Sequence, residues 1–229
     1  MRSAIYKNKV SIITNAKLKA STIIIEKTMN TYKLDDDNIE AIALTCAKQL
    51  QTPGAVLVVP TETVYGLVCR WDDAAGIEKI YQLKERDRGK PLAMFADGKA
   101  MLEANGVILN RDAALLTEKF CPGPVTIITP DTQGHKTGFR IPDHPFILTL
   151  LKYIKFPLAS TSANLSGTPN ALNVQEAVRD LNGTPDIVVD AGAIPPDRQA
   201  STVIDVSGNE LRIIRQGPVS ESEIRQVLK

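Results

Sequence analysis

Residues 35–59, DDDNIEAIALTCAKQLQTPGAVLVV, decide the class of fold. Three acids open the stretch, where negative charge offsets the positive end of a helix dipole, and apolar side chains recur at Ile39, Ile42, Ala43, Cys46 and Leu50 before Pro53-Gly54 stops the pattern. That is an amphipathic helix. AVLVVP, residues 55–60, follows as an unbroken apolar run of strand length, and so predicts a buried strand.

The same alternation continues outward. DDAAGIEKIYQL (72–83) reads as a helix, PLAMFA (91–96) as a strand, NRDAALLTEKF (110–120) as a helix capped by Asn110, and PVTIIT (124–129) as a strand. GFRIPD (138–143) holds a short strand ending in proline. HPFILTLLKYI (144–154) is helical, FPLAST (156–161) a strand, and NVQEAVRDL (173–181) a helix with Asn173 and Glu176 spaced as a capping box. DIVVD, STVIDVS and ELRIIR are strands before a last helix, SESEIRQVL (220–228). These late strands follow one another too closely for helical crossovers, so the expected architecture is α/β with an open, twisted, mixed sheet and flanking helices.

The 229 residues suit one domain with a sizeable core. No run of about 18 apolar residues suggests a membrane span. Cys46, Cys69 and Cys121 are odd in number and far apart, which fits a reducing compartment, and neither His135 nor His144 has zinc-like spacing to them, so no metal held by the chain's own residues is expected. Residues 1–28 hold six basic side chains against one acid, Glu26, a net of +5; the remaining residues hold 21 basic and 25 acidic side chains, a net of −4. Residues 1–28 read as a tail that is disordered or not native to the protein, with Met29 as the natural start, and 29–229 as the folded domain; a basic organellar transit peptide is the other reading of the tail. Against the acidic body, Lys84, Arg86, Arg88 and Lys90 in KERDRGKPL (84–92) form a local basic feature suited to an anion. As polar residues at a cleft, Lys84 and Ser162 are expected to be exposed and to matter little for core stability.

Phosphate-loop, dinucleotide-fold, zinc-protease and hydrolase motifs are all absent from the sequence. What stands at the predicted strand ends is a set of polar stretches rich in small residues: PTETVYGL, KERDRGKPL, CPGPVT, GFRIPDHP, STSANLSGTPNA, ASTVID and RIIRQG. Each alone has an ordinary structural explanation as a turn, cap or surface ion pair. Together they suggest one composite ligand site in an open sheet.

In this order, the stretches resemble the TsaC/YrdC family of threonylcarbamoyl-AMP synthases, from about Leu34 to Gly217. The likeness rests on PTETVYGL, on Lys84-x-Arg86 followed by KPL, on PGPVT and RIPDHP, and on Ser162-x-Asn164 within STSANLSG. The resemblance implies a YrdC-like sheet around a concave basic cavity. It also implies a nucleotidyltransferase that makes threonylcarbamoyl-AMP and pyrophosphate from L-threonine, bicarbonate and ATP, for threonylcarbamoyladenosine modification of tRNA. By that likeness Lys84, Arg86, Ser162 and Asn164 are the catalytic set. Arg86, Lys90, Ser162, Asn170 and Arg215 serve ATP; Thr63, Arg140, Ser160 and Ser201 serve threonine. Magnesium (Mg2+) would come with ATP, the location would be cytoplasmic, and the product would pass to downstream tRNA threonylcarbamoyl-transfer proteins with at most weak contact to tRNA itself. The chain resembles the short, single-domain type.

Asp87 and Ala200 stand where the family commonly has proline, and Phe95 where some members present a histidine to the amino acid. Two other functions stay open on sequence. One is an RNA-binding module without catalysis, disfavoured by the acidic body and 5% aromatic content. The other is a carbamoyl-adenylate-forming domain of the hydrogenase-maturation type, which shares these motifs.

Overall fold

The structure, a computed structural model, describes residues 29–179 and 181–229. The assignment of residues 1–28 as a tail lies outside them. In chain order the elements are β1 (Asn30–Lys33), α1 (Ile39–Gln49), β2 (Leu57–Val59), β3 (Gly66–Arg70), α2 (Ala74–Lys84), β4 (Ala93–Phe95), α3 (Lys99–Ala104), α4 (Arg111–Phe120) and β5 (Val125–Pro130). They continue with β6 (Lys136–Arg140), α5 (Pro145–Ile154), β7 (Leu158–Ser162), α6 (Val174–Arg179), β8 (Ile187–Asp190), β9 (Thr202–Asp205), β10 (Arg212–Arg215) and α7 (Glu221–Val227).

A 10-stranded open sheet runs in the order β1-β8-β2-β3-β7-β4-β6-β5-β9-β10. It is mixed, as expected: β8 lies parallel to β1 and β2, β4 to β6, and β5 to β9, while the other neighbours are antiparallel. Alternation along β2 explains why helices flank it. Leu57 and Val59 join a core with Ile42, Cys46, Phe146 and Leu150 of α1 and α5, whereas Val56 and Val58 join another with Ile80, Leu83, Val174 and Ala177 of α2 and α6. A third core packs Val125, Ile127, Phe139 and Ile204 of the sheet against Leu102, Leu116 and Ile224.

Three elements were not predicted. β1 is an edge strand whose residues are mostly exposed, so it carries no apolar alternation; α3 is one short turn-and-a-half with only Leu102 buried. β3 grows out of the end of PTETVYGL, whose threonines disguise it as loop. The expected capping box of α6 is altered: Asn173 Oδ1 accepts from Glu176 N–H at 2.8 Å, but the Glu176 carboxylate takes Leu172 N–H and the Asn173 amide instead of Asn173 N–H.

β8 is second from one edge of the sheet and β9 second from the other, so residues 191–201 must cross between distant strands. They are tied down on the way. Tyr65 of the β2–β3 turn donates its hydroxyl to Gly192 O and accepts from Ala191 N–H, and Ile194 N–H reaches Leu172 O. This crossing brings Ser201 and β10 to the same region as the β2–β3 turn.

Candidate functional site

Among the described residues, four of the cations singled out in the sequence, Lys84, Arg86, Arg140 and Arg215, share one kind of anchor: the backbone carbonyl. Lys84 ends α2, which Asp73 caps at its other end, and Glu85 beyond it takes a left-handed φ of 48° that turns the chain into the basic stretch. The Lys84 ammonium donates to Ser162 O at 2.5 Å and to Asn164 O, with Asn164 Oδ1 at 3.5 Å. Arg86 Nε donates to Lys90 O at 2.9 Å and its Nη2 to Pro91 O at 3.1 Å. Arg140 Nε donates to Gly123 O at 3.1 Å, and Arg215 Nε to Ser201 O at 3.0 Å. A carbonyl dipole fixes a cation without cancelling its charge, as a carboxylate would. Arg88 shows the contrast: it is spent on Glu78 at 2.6 Å.

The charges of these groups act on one another. Burial, then the charges of Arg140 and Arg86, push Arg215 below the usual guanidinium range. Burial, then the Arg86 charge, lowers the Lys84 ammonium to about 7. Like charges are therefore held together in a partly desolvated place, an arrangement that costs free energy and suits a polyanion.

Hydroxyls and amides complete the surroundings. Thr63 is buried with its Oγ1 2.9 Å from that of Thr61; Ser160 Oγ donates to Ala93 O at 3.0 Å; Ser201 Oγ lies 2.9 Å from Thr126 Oγ1 and accepts from Arg215 Nη2 at 3.1 Å. Asn164 donates to Leu165 O and Thr168 O. Together with Asn170, Glu176 and Arg179, it lines a cavity of about 150 Å³. Ser162 is partly exposed beside the Lys84 anchor, and Lys90 is exposed, giving its carbonyl to Arg86.

One expectation needs correction. Lys84 is not an exposed cleft residue: it is 1% exposed, because its stem packs at the end of α2 while its ammonium reaches carbonyls behind β7. Arg140, assigned to threonine, also has its Nη2 2.5 Å from Glu62 Oε1. Glu62, His144 beside it, and Arg198, which donates to the Glu62 carbonyl, were missed. An acid between the two threonines of PTETVYGL was the available signal for Glu62.

A profile of the Sua5/YciO/YrdC family, described as telomere recombination, matches residues 49–217. The threonylcarbamoyl-AMP synthase of Homo sapiens is 37% identical over 184 residues, covering 74% of this chain and 65% of the human protein; that of Bacillus subtilis is 31% identical over 192 residues, covering 80% and 55%. The chain thus spans somewhat less than two thirds of these relatives. Pyrococcus abyssi Sua5, solved in complex with L-threonine, superposes with a TM-score of 0.75 at 25% identity over 88% of this chain and 61% of that one. Escherichia coli YciO, at 20% identity, shares the fold with a TM-score of 0.77 over 86% of this chain and 100% of that one.

The Lys84 anchor separates stability from chemistry. Lys84→Ala leaves the carbonyls of Ser162 and Asn164 without their donor and should lower unfolding free energy by about 1–3 kcal/mol in a urea titration. Ser162→Ala, at a partly exposed side chain, should shift it by less than about 0.5 kcal/mol. Equal small effects would show that the anchor does not hold the site.

Proposed function

This chain belongs to the Sua5/YciO/YrdC family, and on that premise we propose that it is an L-threonylcarbamoyl-AMP synthase, with residues 29–229 as the catalytic domain. The observation that carries the reading is the set of carbonyl-anchored cations, Lys84, Arg86, Arg140 and Arg215, two of which rest on Ser162 and Ser201. The proposed chemistry needs no side-chain nucleophile. Threonine's amine combines with bicarbonate to give a carbamate and water; a carbamate oxygen then bonds to the α-phosphorus of ATP as the bond to the bridging oxygen breaks and pyrophosphate leaves. The protein's task is to align two anions that repel each other and to offset charge on the phosphates, by positioning and preorganised electrostatics.

In this reading Arg140, Thr63, Ser160 and Ser201 hold threonine, Arg86, Lys90, Ser162, Asn170 and Arg215 hold ATP, and Lys84 and Asn164 complete the catalytic set with Arg86 and Ser162, the Lys84 ammonium fixing the Ser162–Asn164 turn beside the phosphates. Magnesium would enter on ATP, ligated by phosphate oxygens and water and not by a dedicated cage of carboxylates. The ion would offset phosphate charge, while the chain's own residues orient the two substrates. The product would pass to tRNA threonylcarbamoyl-transfer proteins in the cytoplasm. No helix among the described residues is long and apolar enough to cross a membrane. An RNA-binding module is less suited to cations that are buried and anchored in one cluster than to an exposed basic surface. The hydrogenase-maturation reading has a fold likeness to HypF at 20% identity, which speaks to fold alone.

Pyrophosphate release should require ATP, L-threonine, bicarbonate and a divalent ion together, and collapse when any one is omitted. Carbamoyl phosphate replacing threonine plus bicarbonate with equal efficiency would favour the hydrogenase-maturation chemistry instead.

Binding should also be linked to protons. With Lys84 at about 7 in the free protein, its ammonium form falls away as pH rises through that value, and triphosphate alongside restores it. Calorimetry of magnesium-ATP binding at pH 7.5, in buffers of different ionisation enthalpy, should therefore show net proton uptake. Uptake should vanish in Lys84→Met and near pH 5.5. Proton release, or uptake unchanged in the variant, would remove Lys84 from the phosphate site.

A further inference from the structure

Arg140 is the exception among the anchored cations, because it also meets a carboxylate. Its Nη2 is 2.5 Å from Glu62 Oε1, and the two side chains are only 5% and 16% exposed. Yet neither Glu62 oxygen, nor Arg140 Nη2, nor the neighbouring His144 Nδ1 has a well-directed hydrogen-bond partner among the described residues, although all are buried. A pair kept for stability alone would be expected to align its donors and acceptors, since enclosed charges lose more by desolvation than a poorly directed contact returns.

Other contacts hold Glu62 in place. Its backbone carbonyl receives the Arg198 guanidinium, and the hydroxyls of Thr61 and Thr63 on either side lie 2.9 Å apart while Thr61 Oγ1 donates to Val64 O at 2.7 Å. The turn is thus built to present a carboxylate whose hydrogen-bonding capacity is unspent. Arg140 is held the same way, its Nε on Gly123 O and its cation 5.6 Å from the Phe95 ring.

A cation and an anion in contact, each with bonds left to make, complement a molecule that carries both opposite charges on one carbon. An α-amino acid is such a molecule. We propose that Glu62 receives the α-ammonium of the amino-acid substrate while Arg140 receives its carboxylate, so that the pair reads the zwitterion. This rests on the threonine reading of the site and adds to it a residue that selects for the amino group.

The test is calorimetry on the full chain with two probes, L-threonine and 2,3-dihydroxybutanoate of matching configuration, which keeps the carboxylate and side-chain hydroxyl but has a hydroxyl for the ammonium. The unaltered protein should prefer threonine by about ten- to a hundredfold, the loss typical of a charge-assisted bond. Glu62→Gln should reduce that preference to threefold or less and leave magnesium-ATP affinity within twofold. If Glu62→Gln weakens both probes by the same factor, Glu62 only props Arg140 and the proposal fails; it fails too if the unaltered protein binds both probes alike, an outcome that needs no variant to fold. Glu62→Asp, which keeps the carboxylate, should keep the preference, and its loss there would also count against the proposal. An unaltered protein that binds magnesium-ATP but neither probe overturns the threonine reading itself.

Discussion

Grouping cations without cancelling them is the constraint on which the rest of this molecule depends. Lys84, Arg86, Arg140 and Arg215 each donate to backbone carbonyls of Ser162 and Asn164, of Lys90 and Pro91, of Gly123, and of Ser201. These carbonyls lie at strand ends and in turns, where main-chain oxygens are not all committed to the sheet ladder. The mixed sheet supplies such positions from strands far apart in sequence, and the crossing of residues 191–201 carries Ser201 and Arg215 to the others. The fold stabilises its hydrophobic cores elsewhere and tolerates repulsion here. That division of labour is common at sites that bind polyanions.

The carboxylate beside Arg140 sharpens the picture. Asp205 shows what an acid does when it serves structure: it takes Lys136, Arg212 and the Ser207 hydroxyl and amide, and together these bonds outweigh its burial and hold its carboxyl well below the usual range. Glu62 has no such set of donors. A saturated acid on the far strands thus contrasts with an unsaturated one beside Arg140 in the same chain.

Much of the fold was legible in the sequence because its helices and central strands bury one face or both. The periodic apolar residues of α1 and α5 and the unbroken run of β2 announce their packing. β1 and β3 were not legible, the first because an edge strand buries too little, the second because threonines precede it. At the site, residue types could be read from motifs, but their environments could not. Lys84 looks like a solvated helix end until Ser162, many positions later, is folded over it. Likewise, nothing local to Glu62 announces Arg140, because an ion pair between β2–β3 and β6 is decided by sheet order, which sequence patterns leave open.

The central claim, that the cation cluster is divided between an amino acid and a nucleotide, is tested most directly by calorimetry with each ligand on two variants. Arg140→Ala should weaken L-threonine by about ten- to a hundredfold and magnesium-ATP far less, and Arg215→Ala should do the reverse. Equal weakening of both ligands by both variants would contradict the account, because it would mean that the cations act as one undivided field and not as two sites with separate anchors.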